Sequence, residues 1–154
     1  MEDDQWCEMN FGEAEALVLL FSATKYFLPS FLSYMKKLKV LIVFNYGYKK
    51  ATVNGLPALS SLTQLKTIHL EKLDVPPLQE HSKVLQNLEK ISLTLCEGLG
   101  NMSRFNSSQS SLKLPIMRDF ILDHCCDLEE LPPGICDTSS VEKWSITSCH
   151  LLSD

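Results

Sequence analysis

The stretch Phe120-Ile121-Leu122-Asp123-His124-Cys125-Cys126-Asp127-Leu128-Glu129-Glu130-Leu131-Pro132-Pro133-Gly134-Ile135 decides the fold. Phe120 and Leu122 are two residues apart, so a short strand places both on one face. Cys125, Leu128 and Leu131 follow at three-residue steps, the spacing of side chains that point inward from a turn and a loose helical return. Two partial copies exist, Ile91-x-Leu93-x-x-Cys96-x-x-Leu99 and Trp144-x-Ile146-x-x-Cys149-x-x-Leu152. The returning limb also repeats, as Leu28-Pro29-x-x-Leu32-x-x-Met35-x-x-Leu38 and Leu56-Pro57-x-Leu59-x-x-Leu62-x-x-Leu65.

Working outward, one phrase precedes every copy: an apolar anchor, two residues, then two apolar residues in alternation. It opens weakly at Ala14 with Leu17 and Leu19, and recurs at Leu38 (Leu41, Val43) and Leu65 (Ile68, Leu70). Leu88 (Ile91, Leu93), Met117 (Phe120, Leu122) and Val141 (Trp144, Ile146) follow. The anchors are spaced by 24, 27, 23, 29 and 24 residues, in and just above the period range of leucine-rich repeats. One such coil cannot bury its apolar face alone, so coils stack and share a continuous core. The expected fold is α/β: a leucine-rich-repeat solenoid of about six coils, with parallel strands on the concave face and an incomplete C-terminal cap. Strands about 4.8 Å apart would make a stack of roughly 25–30 Å.

Leucine supplies 26 of 154 residues, and the repeat gives most of them core positions. Hydrophobic residues are 45 % and charged residues 21 %, which excludes a disordered chain. The net charge is −5, with no basic run, so nothing draws the chain to nucleic acid or an anionic membrane. The acidic start Met1-Glu2-Asp3-Asp4 is not a secretory signal. The longest apolar run, Ala16 to Phe21, is far too short to insert in a membrane. These features point to a cytoplasmic protein with reduced cysteines. Two stretches break the rhythm and read as solvated loops: Asn45 to Asn54, and Asn101 to Ser111. Residues 1–13 read as an entry segment and 14–154 as the repeat domain. The repeat stops at Leu151-Leu152-Ser153-Asp154 just after a strand, so the chain reads as a piece of a longer array.

Beyond the repeat, Trp6-x-x-Met9-x-Phe11-x-x-Ala14-Glu15-x-Leu17-x-Leu19-x-Phe21-Ser22 and Tyr26-x-Leu28-Pro29-x-Phe31 carry a more specific likeness. With Met35-Lys36-Lys37-Leu38-Lys39-Val40-Leu41 and Leu70-Glu71-Lys72-Leu73, they resemble the leucine-rich-repeat region of plant nucleotide-binding immune receptors (NLR proteins). The likeness is to the helper class with a powdery-mildew-resistance-type coiled coil. It implies a protein–protein interaction module in disease resistance. It also implies autoinhibitory contacts with a nucleotide-binding module and, after activation, contacts with a lipase-like signalling heterodimer. The phosphate-binding loop of full-length members is absent from this sequence, so no cofactor is expected here. A repeat scaffold or ubiquitin-ligase adaptor outside immunity is the alternative.

The sharpest chemical candidate is the cluster His124-Cys125-Cys126, Cys136 and Cys149-His150. Cys96, Cys125 and Cys149 occupy one repeat slot, where a small buried side chain fits, and the spacings match no zinc motif. His124 beside Asp123 lacks a nucleophile with an orienting partner. The expectation is no metal, no catalytic residue and no enzyme.

The outer sheet face remains as the functional surface. It is expected to carry Ala16, Val18, Leu20, then Val40, Ile42, Phe44, all apolar. Thr67, His69, Glu71, then Lys90, Ser92, Thr94, then Asp119, Ile121, Asp123, then Lys143, Ser145, Thr147 continue it and are mostly polar. An exposed apolar patch marks a partner. Val18, Leu20, Val40, Ile42, Phe44, His69, Glu71, Lys90, Asp119, Ile121, Asp123 and Lys143 are therefore the candidate interface. Either the apolar set is covered by the nucleotide-binding module or the N-terminal segment, or the opening strands are buried on both faces under residues 1–13.

Overall fold

A computed structural model describes residues 11–75, 87–98, 118–129, 131 and 141–152, and only the backbone of 56 and 57. Six strands form one parallel sheet in chain order: β1 (Ala16–Phe21), β3 (Val40–Asn45), β5 (Thr67–Glu71), β7 (Lys90–Thr94), β8 (Asp119–Asp123) and β9 (Lys143–Thr147). Ala16 stands beside Val40, Val40 beside Thr67, Thr67 beside Lys90, Lys90 beside Asp119, and Asp119 beside Lys143. The offsets between these partners equal the anchor spacings read from sequence. Each strand is entered in the same way. The carbonyl of Glu15 accepts from Lys39 N and Val40 N; those of Lys39, Lys66, Glu89 and Arg118 repeat this toward the next coil.

Alternation sends one set of side chains into the core. Leu41 and Val43 are buried, as are Ile68 and Leu70, Ile91 and Leu93, and Phe120 and Leu122. They meet Leu32, Met35, Leu38, Leu59, Leu62, Leu65 and Leu88 from the returning limbs. Each such Leu contributes roughly 1.5–3 kcal/mol on burial. At the terminal strands the expectation is only partly met. Trp144 and Ile146 face inward by register, yet stay 38 % and 36 % exposed. β9 is the edge of the sheet, and Trp144 packs on one side only, its ring 5.3 Å from that of Phe120. The solenoid makes about four turns rather than the six coils expected, although six strands join the large sheet.

The returning limb is the main correction. Instead of only turns and loose helix, it contains a second, three-stranded parallel sheet: β2 (Lys25–Phe27), β4 (Ala51–Asn54) and β6 (Leu73–Asp74). Two short 3-10 turns, Ser30–Tyr34 and Leu56–Ser61, follow β2 and β4. The stretch 45–54 is therefore not one solvated loop. Its Ala51 and Val53 are buried, alternating with Thr52 and Asn54. The expected insertion 101–111, the anchor Met117, Cys136 and residues 1–10 of the entry segment lie outside the described residues. Phe11 of that segment packs its ring 4.8 Å from Phe31.

Two local features lock the coils. Lys72, Leu95, His124 and Ser148 follow their strands with φ between 52° and 57°. This column of left-handed residues turns the chain from the large sheet toward the small one. Gly98 has φ 84°, and a Cβ there would come 2.1 Å from the Val75 carbonyl oxygen. Its N–H donates to Asp127 Oδ2 at 2.7 Å, tying one coil to the next.

Candidate protein-interaction surface

The large sheet presents three outward columns, set by strand register. The first runs Ala16, Val40, Thr67, Lys90, Asp119, Lys143. The second runs Val18, Ile42, His69, Ser92, Ile121, Ser145. The third runs Leu20, Phe44, Glu71, Thr94, Asp123, Thr147. All twelve candidate residues lie in these columns, on one face.

The apolar end is open. Val18 is 54 % and Leu20 63 % exposed, and Val40, Ile42 and Phe44 are half-buried. Residues 1–10, which the alternative expectation places over these strands, lie outside the described residues. Two apolar side chains more than half exposed cost solvation free energy that a partner would recover.

The polar end is cross-linked by side chains. Lys90 Nζ lies 3.3 Å from Asp119 Oδ2. Asp123 accepts from the Thr147 hydroxyl and from His124 Nδ1, the latter at 2.8 Å. These two bonds, the hydroxyl first, hold the Asp123 carboxyl below its ordinary range. His69 Nδ1 lies 2.9 Å from Ser92 Oγ, and His69 Nε2 lies 3.3 Å from Glu71 Oε2.

Ser92–His69–Glu71 is a serine, imidazole and carboxylate in line, a grouping the sequence reading missed. A nucleophile needs oxyanion donors close by. Ser92 is in the middle of β7, which is paired on both sides by β5 and β8, so the neighbouring N–H groups belong to the ladder. Ser92 is also buried. The arrangement orients His69 across two strands and has no place for a reacting carbonyl. The 23-residue offset between Leu65 and Leu88 already contained this pairing, because it puts residue 69 beside residue 92.

The cysteine slot is occupied as expected, and its geometry explains the residue type. Cys96 Sγ donates to the carbonyls of Leu70 and Thr94 at 3.4 Å. Cys125 Sγ does the same to Leu93 and Asp123 at 3.6 Å. Burial pushes the Cys96 thiol up to about 12 and the Cys125 thiol up to about 11. Protonated, carbonyl-bonded thiols are poor metal ligands, since metals bind the thiolate. No group of three or more ligating side chains is gathered among the described residues.

At the rim beyond β3 lies a feature with no counterpart in the sequence reading. Tyr46 and Tyr48 are 64 % and 104 % exposed. Between them and the core sits Asn45, fully buried. Its Nδ2 donates to the Lys49 and Lys72 carbonyls at 2.8 and 3.3 Å, and its Oδ1 accepts from Gly47 N at 2.9 Å. The Asn-x-Gly spacing was the available signal, since a buried Asn can close a tight loop on itself.

Among the described residues no helix is long and apolar enough to cross a membrane. No protein-family model matches the chain. Its sequence is 37 % identical over 141 residues to a probable disease resistance protein of Arabidopsis thaliana, spanning 92 % of this chain and 17 % of that protein. A second probable disease resistance protein of the same plant is 37 % identical over 147 residues, 96 % of this chain and 35 % of the relative. Disease resistance protein ADR1, also from Arabidopsis thaliana, is 34 % identical over 149 residues, 97 % of this chain and 19 % of its own length. The chain's homologues are plant disease resistance proteins, which supports a role in plant defence, and its solenoid fits a leucine-rich-repeat region. The chain spans between 17 % and 35 % of the length of these relatives.

Proposed function

We propose that this chain is the protein-interaction repeat of a cytoplasmic plant immune receptor of the helper class. It acts as a non-catalytic surface that holds the receptor inactive and later engages signalling partners. The observation that carries this reading is the division of the outer face. Val18, Leu20, Val40, Ile42 and Phe44 form an apolar end, and the remaining four strands form a charged and hydrogen-bonded end. In this reading the apolar end docks the receptor's nucleotide-binding module in cis. The polar end, with His69, Glu71, Lys90, Asp119, Ile121, Asp123 and Lys143, is left for exchangeable partners such as the lipase-like heterodimer. Such a division suits a surface that must keep one contact and exchange another.

The test is Ile42→Asp. The side chain is half-buried on the outer face, so the fold tolerates the change while an apolar interface does not. Binding to the nucleotide-binding module of a disease resistance homologue is expected to fall about tenfold or more, with the thermal melt within a few degrees of the parent. Undiminished binding with an intact fold would overturn the interface reading.

A further inference from the structure

The apolar strip does not end with β3. Phe44 faces outward, Asn45 inward and Tyr46 outward again, and Tyr46 N donates to the Phe21 carbonyl at 2.9 Å, so the ladder runs on into the rim. From Val40 to Tyr46 the strip spans six steps of about 3.3 Å, roughly 20 Å. It is two strands wide, about 10 Å with side chains. Those are the length and diameter of an α-helix of about a dozen residues.

The rim is built rigid and carries two exposed lysines. The three hydrogen bonds of buried Asn45 fix the loop that presents Tyr46 and Tyr48. A Cβ on Gly47 would sit 2.9 Å from Asn45 Oδ1 and 3.1 Å from Ser22 Oγ, so this loop is packed against the one that leads into β2. Tyrosine held in place gives large contact area at little entropic cost. Lys49 follows Tyr48, and Lys25 opens β2 beside Thr52. Both lysines are exposed, and among the described residues neither makes an ion pair. The nearby acids are already engaged: Glu97 with Lys50, Glu71 with His69, and Asp74 with the Thr52 hydroxyl.

We propose that the strip and its tyrosine rim seat an amphipathic helix of a partner protein, about a dozen residues long, whose acidic end meets Lys25 and Lys49. Its apolar face lies along Phe44, Leu20 and Ile42, with Tyr46 and Tyr48 as anchors. This deepens the docking reading above and rests on it only in taking the apolar end as a docking face. A linear strip two strands wide, with charge at one end, fits a helix better than a flat lipid surface, which would need basic residues along its whole margin.

The test uses two labelled 14-residue helical peptides with the same leucine face. One carries Asp and Glu in its first turns, the other Lys at the same positions. Fluorescence anisotropy on the full chain is expected to show the acidic peptide binding at least tenfold tighter. Lys25→Glu with Lys49→Glu should invert that order. Tyr46→Ser with Tyr48→Ser should weaken the acidic peptide about tenfold with an unchanged melt, since both rings are exposed. Equal binding of the two peptides, or indifference to the tyrosine pair, overturns the inference. It is overturned equally if the same variants abolish binding to phosphatidylserine vesicles, or a dimer seen by sedimentation, in place of peptide binding. Ile42→Asp separates the two levels. If it alone abolishes peptide binding, the face docks a partner without the rim. If peptide binding follows the tyrosines and lysines while module binding ignores Ile42→Asp, the rim stands and the cis-docking reading falls.

Discussion

Between β3 and β5 the outer face of the sheet changes character while its backbone does not. The strands on either side of that boundary pair in the same parallel register and are entered through the same doubly accepting carbonyl. Before the boundary the outward columns hold Val18, Leu20, Val40, Ile42 and Phe44. After it, neighbouring side chains satisfy each other: Lys90 with Asp119, His69 with Ser92 and Glu71, Thr147 and His124 with Asp123. The inward face shows no such break; Leu41, Ile68, Ile91 and Phe120 continue one column. Folding thus dictates the inner residues coil by coil and leaves the outer ones open to selection for contacts. The division is a property of the surface, and the two regions should respond differently to the same chemical insult.

The largest effect is expected from a charge on the inner face. Leu122 is 1 % exposed at the centre of the polar half. Leu122→Asp loses its burial and leaves an unpaired carboxylate in the core, together costing several kcal/mol. Circular dichroism should show the cooperative melt lost or lowered by tens of degrees, whereas Ile42→Asp keeps it. Equal melts for the two variants would erase the distinction between inner and outer faces.

Next comes the coil-to-coil lock. Gly98→Ala adds a Cβ that must displace the Val75 carbonyl, at a residue with φ 84°. Backbone clash and left-handed strain together should cost about 2 kcal/mol or more. The damage should sit where β7 meets β8, through the lost Gly98–Asp127 contact. Hydrogen exchange on the amides of β7 and β8 should accelerate before that of β1 and β3. A uniform acceleration would mean the solenoid unfolds as one unit and that the two regions share a single stability.

The large sheet was legible because its signal is redundant. Each strand carries two apolar residues in alternation after an anchor, and the anchor spacings equal the register offsets. The second sheet was not, because Lys25–Phe27, Ala51–Asn54 and Leu73–Asp74 are too short for alternation to show, and Gly47, Lys49 and Lys50 dominate the reading around β4. The left-handed column at Lys72, Leu95, His124 and Ser148 contains neither Gly nor Asn, the residues that announce such a conformation. Stacking imposes it: the N–H groups of Lys72, Leu95 and His124 each bond the carbonyl that ends the next strand. The candidate surface was legible in its columns, which follow from register, but not in its contacts. Those depend on pairs such as His69 and Ser92 that are adjacent only after coiling.

The smallest effect, and the one that probes the polar half alone, is alkaline. The slot after each strand holds Cys96, Cys125 and Cys149 in the last coils, but Leu73 in the third and no cysteine in the first two. Burial raises the Cys96 thiol from 9.0 to about 12, so the native state keeps a proton that the unfolded chain gives up earlier. The unfolded state then binds fewer protons, and stability falls as pH rises. The contribution is complete below pH 9.0 and is lost progressively toward 12. Half-buried Tyr26 also has a raised ionisation, but an unfolded tyrosine begins to titrate about one unit higher than a cysteine. The window between pH 9 and 10 therefore isolates the thiols. Urea melts across that window should show a downward slope in the parent that flattens in Cys96→Ala, whatever the variant loses at neutral pH from its smaller side chain. An unchanged slope would mean that the thiol is solvated in the native state, and the carbonyl-bonded cysteine column would no longer distinguish the polar half from the apolar one.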